Sequence, residues 1–456
     1  MKWAVPAALI VFAGCMSAPE HLAPSTAPAP QTPWTPPASA VPPPIAERPM
    51  PPLDAPLTLD RAIDVALSNN PNTRTAWLQA RISEADLGFA RSAYLPEIDA
   101  NVSANRTQHA TTLTPSLALT YLLFDFGGRA ASVEQARQAL IASDFTHNQV
   151  IQNIVLRTEQ AYYGVLDAKA LLEGQAATVK EQQANVDAAD ARHRAGVATI
   201  ADVLQAQTQL SQAQLNYETF EGQLRQQQGQ LANAMGIPVT TPINVGSLPA
   251  EAPVQEVAKT VDALVTQAEV DRPELAAARS DVLRAQAHVT QIRSSYLPSV
   301  GVTANASHAF VSGNTGSSST SPYSVGLALR WPLFTGFRNV YDIRAAQLGV
   351  DLAAEDARNL QQQVGLQVWS SYYALNTAAQ RVRTTRDLLR SAQQSLDVAA
   401  GRYRSGVGTI IELLTAQAAL ETARAQEVQA RADWFVAIAQ LAHDTGTLGP
   451  LPGETR

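Results

Sequence analysis

The sequence predicts a mixed α/β fold that is mostly helical and that arose by internal duplication. The nine residues RHRAGVATI at 192–200 return as RYRSGVGTI at 402–410, with three differences. Each copy also contains two short segments of alternating polarity, and helical sequence makes up most of the remainder. A repeat at a fixed offset indicates a duplicated structural unit, and we place the two copies at 57–250 and 251–450.

The chain begins with a short basic head and a brief apolar stretch that leads to small residues before Cys15, the single cysteine of the sequence. This pattern is typical of a bacterial secretory signal. We therefore assign 1–14 to a lipoprotein signal peptide, Cys15 to lipid attachment and the Pro/Ala-rich segment 15–56 to a lipidated tether. Phe12 stands where such signals usually carry leucine, and an ordinary signal lost on cleavage is the alternative. Residues 451–456 form a short tail.

Two segments in each copy alternate between apolar and polar residues, as strands with one apolar and one polar face do. The clearest are Ile98 to Asn105 and Tyr323 to Trp331, and we place the strands within 96–124 and 298–334. Strands of about 10 residues with this alternation match lipid-facing barrel strands, with aromatic residues near their ends. A soluble antiparallel sheet packed on helices alternates in the same way, so the strands alone leave both architectures open.

The second copy is longer than the first between its strands. The offset between the copies rises from 202 at Pro96 to 210 at Leu123. We place the insertion in the polar segment 311–322, against the shorter 108–115, because exposed loop tips tolerate insertions. Both segments are predicted to be loops at the same end of the protein.

Long helices follow the strands. Residues 129–193 contain no proline and predict one helix of roughly 65 residues, about 100 Å long. Apolar residues then recur every seven positions from Val203 to Leu231, which is the seam of a coiled coil.

The repeated nine-residue phrase predicts the tip of an antiparallel helical hairpin, at 195–199 and again at 405–409. Arginines before each turn suit the carbonyl end of a helix, and Gly196 suits the left-handed conformation that ends one. In the second copy, Thr409 and Glu412 predict a capping box for the next helix.

Composition and motifs exclude several classes of function. A net charge of −7 with scattered lysine and arginine argues against a nucleic-acid surface. One cysteine and seven histidines without paired spacing leave a metal site unsupported. The sequence has no GxSxG, HExxH or phosphate-binding loop. We therefore predict that the protein is not an enzyme and uses no cofactor.

Four strands in one chain cannot enclose a lumen, since even eight leave room only for side chains. An unpaired strand edge in hydrocarbon costs several kcal/mol per group. If the strands enter lipid, the chain must oligomerise. Three chains provide twelve strands and six helical hairpins, and both the strands and the helices then form a tube around one duct.

These features resemble the TolC-type outer-membrane efflux protein family, the outer membrane factors, and within it the lipidated efflux branch. The resemblance rests on the duplication, on Tyr94-Leu95-Pro96 before the first strand, on the LFDFGG segment 123–128 and on R-x-x-x-G-V-x-T at both tips. It covers about 57–446. It implies a homotrimer with a twelve-strand transmembrane β-barrel in the outer membrane of a Gram-negative bacterium, continued by a long periplasmic α-helical barrel.

The role of that family implies an exit duct of a tripartite efflux or secretion system. The duct passively conducts drugs, metals or proteins from an inner-membrane pump and a periplasmic adaptor, or membrane fusion protein, to the exterior. A type I protein-secretion duct is one alternative. A soluble periplasmic coiled-coil adaptor is another, although adaptors lack duplicated pairs of alternating strands.

The resemblance also implies two sets of functional residues. The adaptor-contact set lies at the tips and consists of Arg192, Gly196, Val197, Ala198, Thr199, Arg402, Gly406, Val407, Gly408 and Thr409. The periplasmic gate lies just inside the tips and consists of Asp202, Ile411, Glu412 and Thr415. In a trimer, the two acidic positions would give six carboxylates that favour cations. Turn formation alone and helix capping alone are the alternatives, and Thr415 departs from an aspartate that relatives often carry.

Overall fold

The computed structural model describes residues 30–31, 53, 56–253, 259–313 and 316–448. The predictions for the signal peptide, Cys15, most of the tether and the tail lie outside the described residues. All the described helices and strands belong to one unit, 51–456.

Both copies follow the same order of elements. The first copy comprises α1 (Leu59–Asn69), α2 (Pro71–Ser92), β1 (Glu97–Arg106), β2 (Ala110–Phe124), α3 (Gly128–Arg194) and α4 (Ile200–Ala234). The second comprises α5 (Val261–Asp271), α6 (Pro273–Ser294), β3 (Ser299–Ser307), β4 (Ala309–Gly313), β5 (Gly316–Thr320), β6 (Tyr323–Arg330), α7 (Arg338–Arg404) and α8 (Ile410–Asp444). The long helices α3 and α7 have 67 residues each, and α4 and α8 have 35 each. The duplicated, mostly helical α/β fold is confirmed.

The six described strands form one antiparallel sheet that is four strands wide. β1 pairs with β2, and β2 pairs on its other side with β3 and β4. β6 pairs with β3, and β5 pairs with β4. β3 and β4 therefore run end to end, as do β6 and β5. The edges of the sheet are β1 and the combined β6–β5 strand, and no other described strand pairs with them.

The segments predicted to be loops are in part strand. β5 lies inside 311–322 and extends the second hairpin by pairing with β4, while β2 already begins at Ala110. The prediction of a plain loop was wrong because it required alternating polarity. Ladder hydrogen bonds join backbone groups, so a serine-rich segment continues a hairpin once its neighbour is in place.

The register gathers the apolar side chains on one face of the sheet. Directly opposite residues place their side chains on the same face. One row across all four strands consists of Ile98, Leu119, Ala304 and Val325. The adjacent row, on the other face, consists of Asp99, Ala118, Asn305 and Ser324. The alternation of separate strands thus becomes one continuous apolar surface.

No described helix packs as a layer on either face of this sheet. Every residue of β1 and β6 is exposed, including Val102 at 67%, Val325 at 75% and Leu327 at 74%. A soluble sheet buries its apolar face against a second layer. The soluble, helix-covered alternative is therefore contradicted for the described part of the chain.

The buried core lies between the helices. Leu231, Met235 and Val165 of the first copy pack with Val65 of α1, and α5 covers a matching cluster on α7. α3 packs on α4, and it also packs on α6 and α8 of the second copy. The first long helix therefore holds the two copies together. Within the described residues, no helix combines the length and apolarity needed to cross a membrane.

Candidate functional site: the two hairpin tips

Each tip is a tight turn between a long helix and the next helix. The N–H of Val197 donates to the carbonyl of Arg192 at 3.0 Å, and the N–H of Val407 donates to the carbonyl of Arg402 at 3.1 Å. These bonds require a left-handed residue at the helix end. Gly196 has φ 73° and Gly406 has φ 80°, as predicted from the sequence.

The second turn is tighter than the first. Gly408 also donates its N–H to the carbonyl of Arg402 at 3.0 Å. A Cβ at this position would lie 2.9 Å from the Cβ of Arg402, a separation that packing does not tolerate. The first tip has Ala198 at the equivalent position. Glycine at 408 is therefore required by the close approach of the turn to the preceding helix.

Each turn presents one uncovered apolar side chain. Val197 is 67% exposed and Val407 is 71% exposed. Neither residue belongs to a buried cluster of the described chain. The tips therefore display apolar surface beside the basic side chains that end the long helices.

The capping boxes differ from the prediction. In the first tip, Thr199 and Asp202 form the reciprocal pair, and the carboxylate of Asp202 accepts from the N–H of Thr199 at 2.8 Å. In the second tip, Thr409 accepts from the N–H of Glu412 at 3.2 Å, but Glu412 pairs with Arg402 at 3.6 Å. The prediction for Thr409 and Glu412 is confirmed for the threonine cap and wrong for the reciprocal bond, because the longer glutamate side chain reaches the arginine of the preceding helix.

An arginine joins the two tips. Arg192 donates from Nη1 to the carbonyl of Tyr403 at 3.1 Å, and its guanidinium lies 4.5 Å from the centroid of that ring. Sequence reasoning assigned Arg192 to the tip but missed its partner. The sequence did contain an indication of this contact, because Tyr403 occupies one of the three positions at which the two phrases differ. The first copy has His193 at that position.

The four gate candidates lie in the first turns of α4 and α8. Asp202 is half-buried in its capping box, whereas Ile411 is 66% exposed and Glu412 and Thr415 are also exposed. Ile410, which lies between the second turn and Ile411, is buried, with only 4% of its surface exposed. The structure therefore separates the two acidic residues by role: one is engaged as a cap and the other is held by an exposed ion pair.

The difference predicts unequal effects on stability. Asp202→Ala removes a carboxylate that completes a capping box, so we expect it to lower the free energy of unfolding by about 1 kcal/mol. Glu412→Ala removes only an exposed ion pair, for which about 0–1 kcal/mol is typical. Thermal melting of the detergent-solubilised variants checks this. A larger loss for Glu412→Ala would contradict the assignment of the box to the first tip.

Comparison with known proteins agrees with this architecture. The chain matches the family described as Outer membrane efflux protein over 62–237 and again over 264–447. It is 28% identical over 404 residues to Protein CyaE of Bordetella pertussis, covering 86% of this chain and 85% of that protein. It is 27% identical over 406 residues to the outer membrane efflux protein BepC of Brucella suis, covering 86% of each.

A solved structure shares the fold. The outer membrane channel CmeC of Campylobacter jejuni superposes with a TM-score of 0.76 at 16% identity, over 85% of each chain. The family match falls on both copies and includes the helices that form both tips. The chain therefore belongs to the outer membrane efflux protein family.

Proposed function

We propose that this protein is the exit duct of a tripartite efflux or secretion system and that it works as a homotrimer. Family membership supports an outer-membrane efflux channel that extends into the periplasm, and the family is one of ducts rather than enzymes. The observation that carries the proposal is the four-strand sheet with one continuous, uncovered apolar face. The protein conducts its substrate passively.

A trimer would pair both free edges of the sheet. Its two edges, β1 and the β6–β5 strand, are unpaired within one chain, and unpaired backbone groups in hydrocarbon cost several kcal/mol each. Pairing β1 of one subunit with β6 of the neighbouring subunit removes both edges. Three copies of a four-strand sheet give twelve strands, enough for an interior wider than the side chains alone fill. The apolar face then meets lipid and the polar face lines the lumen.

The helices carry the duct away from the membrane. α3 and α7 have 67 residues each, which corresponds to about 100 Å at 1.5 Å per residue. The tips at their far ends are the place where an inner-membrane pump would be joined through a periplasmic adaptor. Exposed Val197 and Val407 support a contact there, because exposed apolar surface beside polar residues marks interaction sites.

The gate is the second part of the proposal. In a trimer, Asp202 and Glu412 contribute six carboxylates near the tips, with Ile411 and Thr415 beside them. We expect Glu412→Gln to lower cation selectivity in planar bilayer recordings, because rings of carboxylates favour cations. The matched control is Glu421→Gln, farther along α8. Unchanged selectivity together with a lower melting temperature would leave Glu412 a structural residue only.

The bounds of the two internal copies are proposed as 57–250 and 251–450. The lipid anchor is proposed to be attached at Cys15. A thioether-linked diacylglycerol, with its two acyl chains, would hold the N-terminus at a membrane through buried methylenes, each worth about 0.8 kcal/mol. Mass spectrometry of the purified N-terminal peptide checks the anchor. A peptide that begins after residue 15, or an unmodified cysteine, would refute it.

Deletion of the gene tests the function as a whole. Cells that lack the protein should accumulate a fluorescent efflux substrate, and expression of the intact chain should restore export.

Electron microscopy of the detergent-extracted protein tests the architecture in parallel. A threefold tube well over about 100 Å long is expected, and a monomer released without detergent would overturn the proposal.

A further inference from the structure

Each copy contains a junction at which one helix ends against the start of another. In the first copy, α4 ends at Ala234 against the first turn of α2, and in the second, α8 ends at Asp444 against the first turn of α6. Asn70 donates from Nδ2 to the carbonyl of Ala234 at 2.9 Å. Arg272 donates from Nη1 to the carbonyl of Asp444 at 3.2 Å. The two junctions are therefore equivalent places in the repeat.

The second junction is closed by a buried ion network. Arg272 donates from Nε to Oε1 of Glu274 at 2.6 Å, and its Nη1 lies 3.5 Å from Oδ1 of Asp444. Its Nη2 also donates to Oε1 of Gln367 on α7 at 2.8 Å. The arginine and both acidic residues are buried. One cation and two carboxylates thus join α6, α7 and α8.

The first junction has an arginine but neither carboxylate. By the offsets of 202 and 210 residues, the two acidic positions are occupied by Asn72 and Ala234, which form no ion pair. The position of Gln367 is occupied by Arg157 on α3. Arg157 is exposed, and its side chain forms no ion pair or hydrogen bond with any described residue. The first copy therefore keeps a cation without the acidic partners that the second copy provides.

An open cavity of about 450 Å³ lies at this first junction, within the usual size of small-molecule sites. Among the described residues that line it, Arg157 alone carries a charge. Five amide side chains share the lining: Asn70, Asn72, Gln160, Gln230 and Asn233. A guanidinium suits a carboxylate through two parallel N–H bonds, and amides both donate and accept hydrogen bonds. The lining therefore suits an anion with further polar groups.

We propose that this cavity binds a small organic carboxylate that also carries hydroxyl or amide groups. The carboxylate pairs with Arg157 in the place that the two acidic side chains take in the second copy. Because Arg157 lies on α3, Asn72 on α2 and Gln230 on α4, the bound molecule joins three helices as the ion network joins three in the other copy. The site lies within one chain, so the inference does not depend on the proposed duct.

Thermal melting of the detergent-solubilised protein tests the site, with sodium lactate as the probe. Lactate carries a carboxylate and a hydroxyl, and lactamide is its neutral analogue. A ligand that binds only the folded protein raises the melting temperature as its concentration rises. Lactate should raise it, whereas lactamide and sodium chloride at the same ionic strength should not. An equal rise with either control would overturn the recognition of a carboxylate.

Replacement of the arginine tests its role. Arg157→Gln introduces the side chain that the second copy has at this position, so the variant should fold. It should weaken lactate binding about ten- to a hundredfold, because it removes a charge-assisted bond. Arg74→Gln is the matched control, since Arg74 is an exposed arginine of α2 outside the cavity lining. A response that Arg157→Gln leaves unchanged, or that Arg74→Gln weakens equally, overturns the inference.

A second variant supplies the missing carboxylate from the chain itself. Asn72→Glu should raise the melting temperature without lactate and abolish the response to it, because the new carboxylate pairs with Arg157. A lactate response that survives this change contradicts the pairing. A wild-type protein that does not respond to lactate overturns the inference. A lower melting temperature of Arg157→Gln in that case would show that a carboxylate of the protein already occupies the arginine.

Discussion

Val407→Glu is expected to abolish efflux while the trimer still assembles. Val407 is 71% exposed at the second tip and follows Gly406, which carries the left-handed backbone conformation. The substitution therefore removes no buried contact and imposes no new strain on the turn. A carboxylate at a contact with an adaptor has to be buried without a partner, which costs about 3–5 kcal/mol. That is about a hundred- to several-thousandfold weaker binding.

The measurement is accumulation of a fluorescent substrate in cells, with the oligomer mass of the purified variant determined alongside. Val270→Glu is the matched control, since Val270 is 72% exposed on α5, away from the tips, and should retain efflux. Loss of the trimer in Val407→Glu would show that the residue is structural. Full efflux would show that this side chain makes no adaptor contact.

Leu327→Arg is expected to prevent assembly in the membrane. Leu327 lies in β6 opposite Val302 and is 74% exposed on the apolar face. An arginine on the lipid-facing side of a barrel costs about 2–4 kcal/mol near the midplane, and a trimer would carry three of them. The expected result is little or no protein in the outer-membrane fraction.

The neighbouring residue provides the control. Ala328 lies opposite Gly301 on the polar face, so Ala328→Arg would point into the lumen and should assemble. Membrane fractionation and heat-resistant oligomers on gels compare the two variants. Equal assembly of both would mean that the apolar face does not meet lipid, and equal failure would mean that β6 tolerates no arginine on either side.

Much of the fold follows from local sequence patterns. The absence of proline predicted α3 to within a residue or two of its observed ends, Gly128 and Arg194. Both turns lie at the repeated phrase, with glycine in the left-handed conformation at 196 and 406. Alternation predicted which side chains of β1 and β6 share a face. These features depend on residues near one another in the chain, so they can be read from the sequence.

Other features depended on which segments meet in space. The β4–β5 hairpin forms where β4 pairs with β2 and β5 then pairs with β4, and serine-rich sequence carries no alternation that would reveal it. Glu412 leaves its predicted cap because Arg402 lies within reach, which is a matter of side-chain length across a turn.

The sequence by itself determined the duplication, the lengths of the helices, the turns and the two faces of the strands. Only the tertiary structure decided that the apolar face stays uncovered and that Arg192 joins the tips through Tyr403. The physical reason is that both depend on which distant segments pack together: no described helix forms a layer on the sheet, and Arg192 and Tyr403 lie 211 residues apart in the chain. Local propensity is silent about such contacts, and it cannot distinguish Ile410, which is buried, from Ile200, which is exposed.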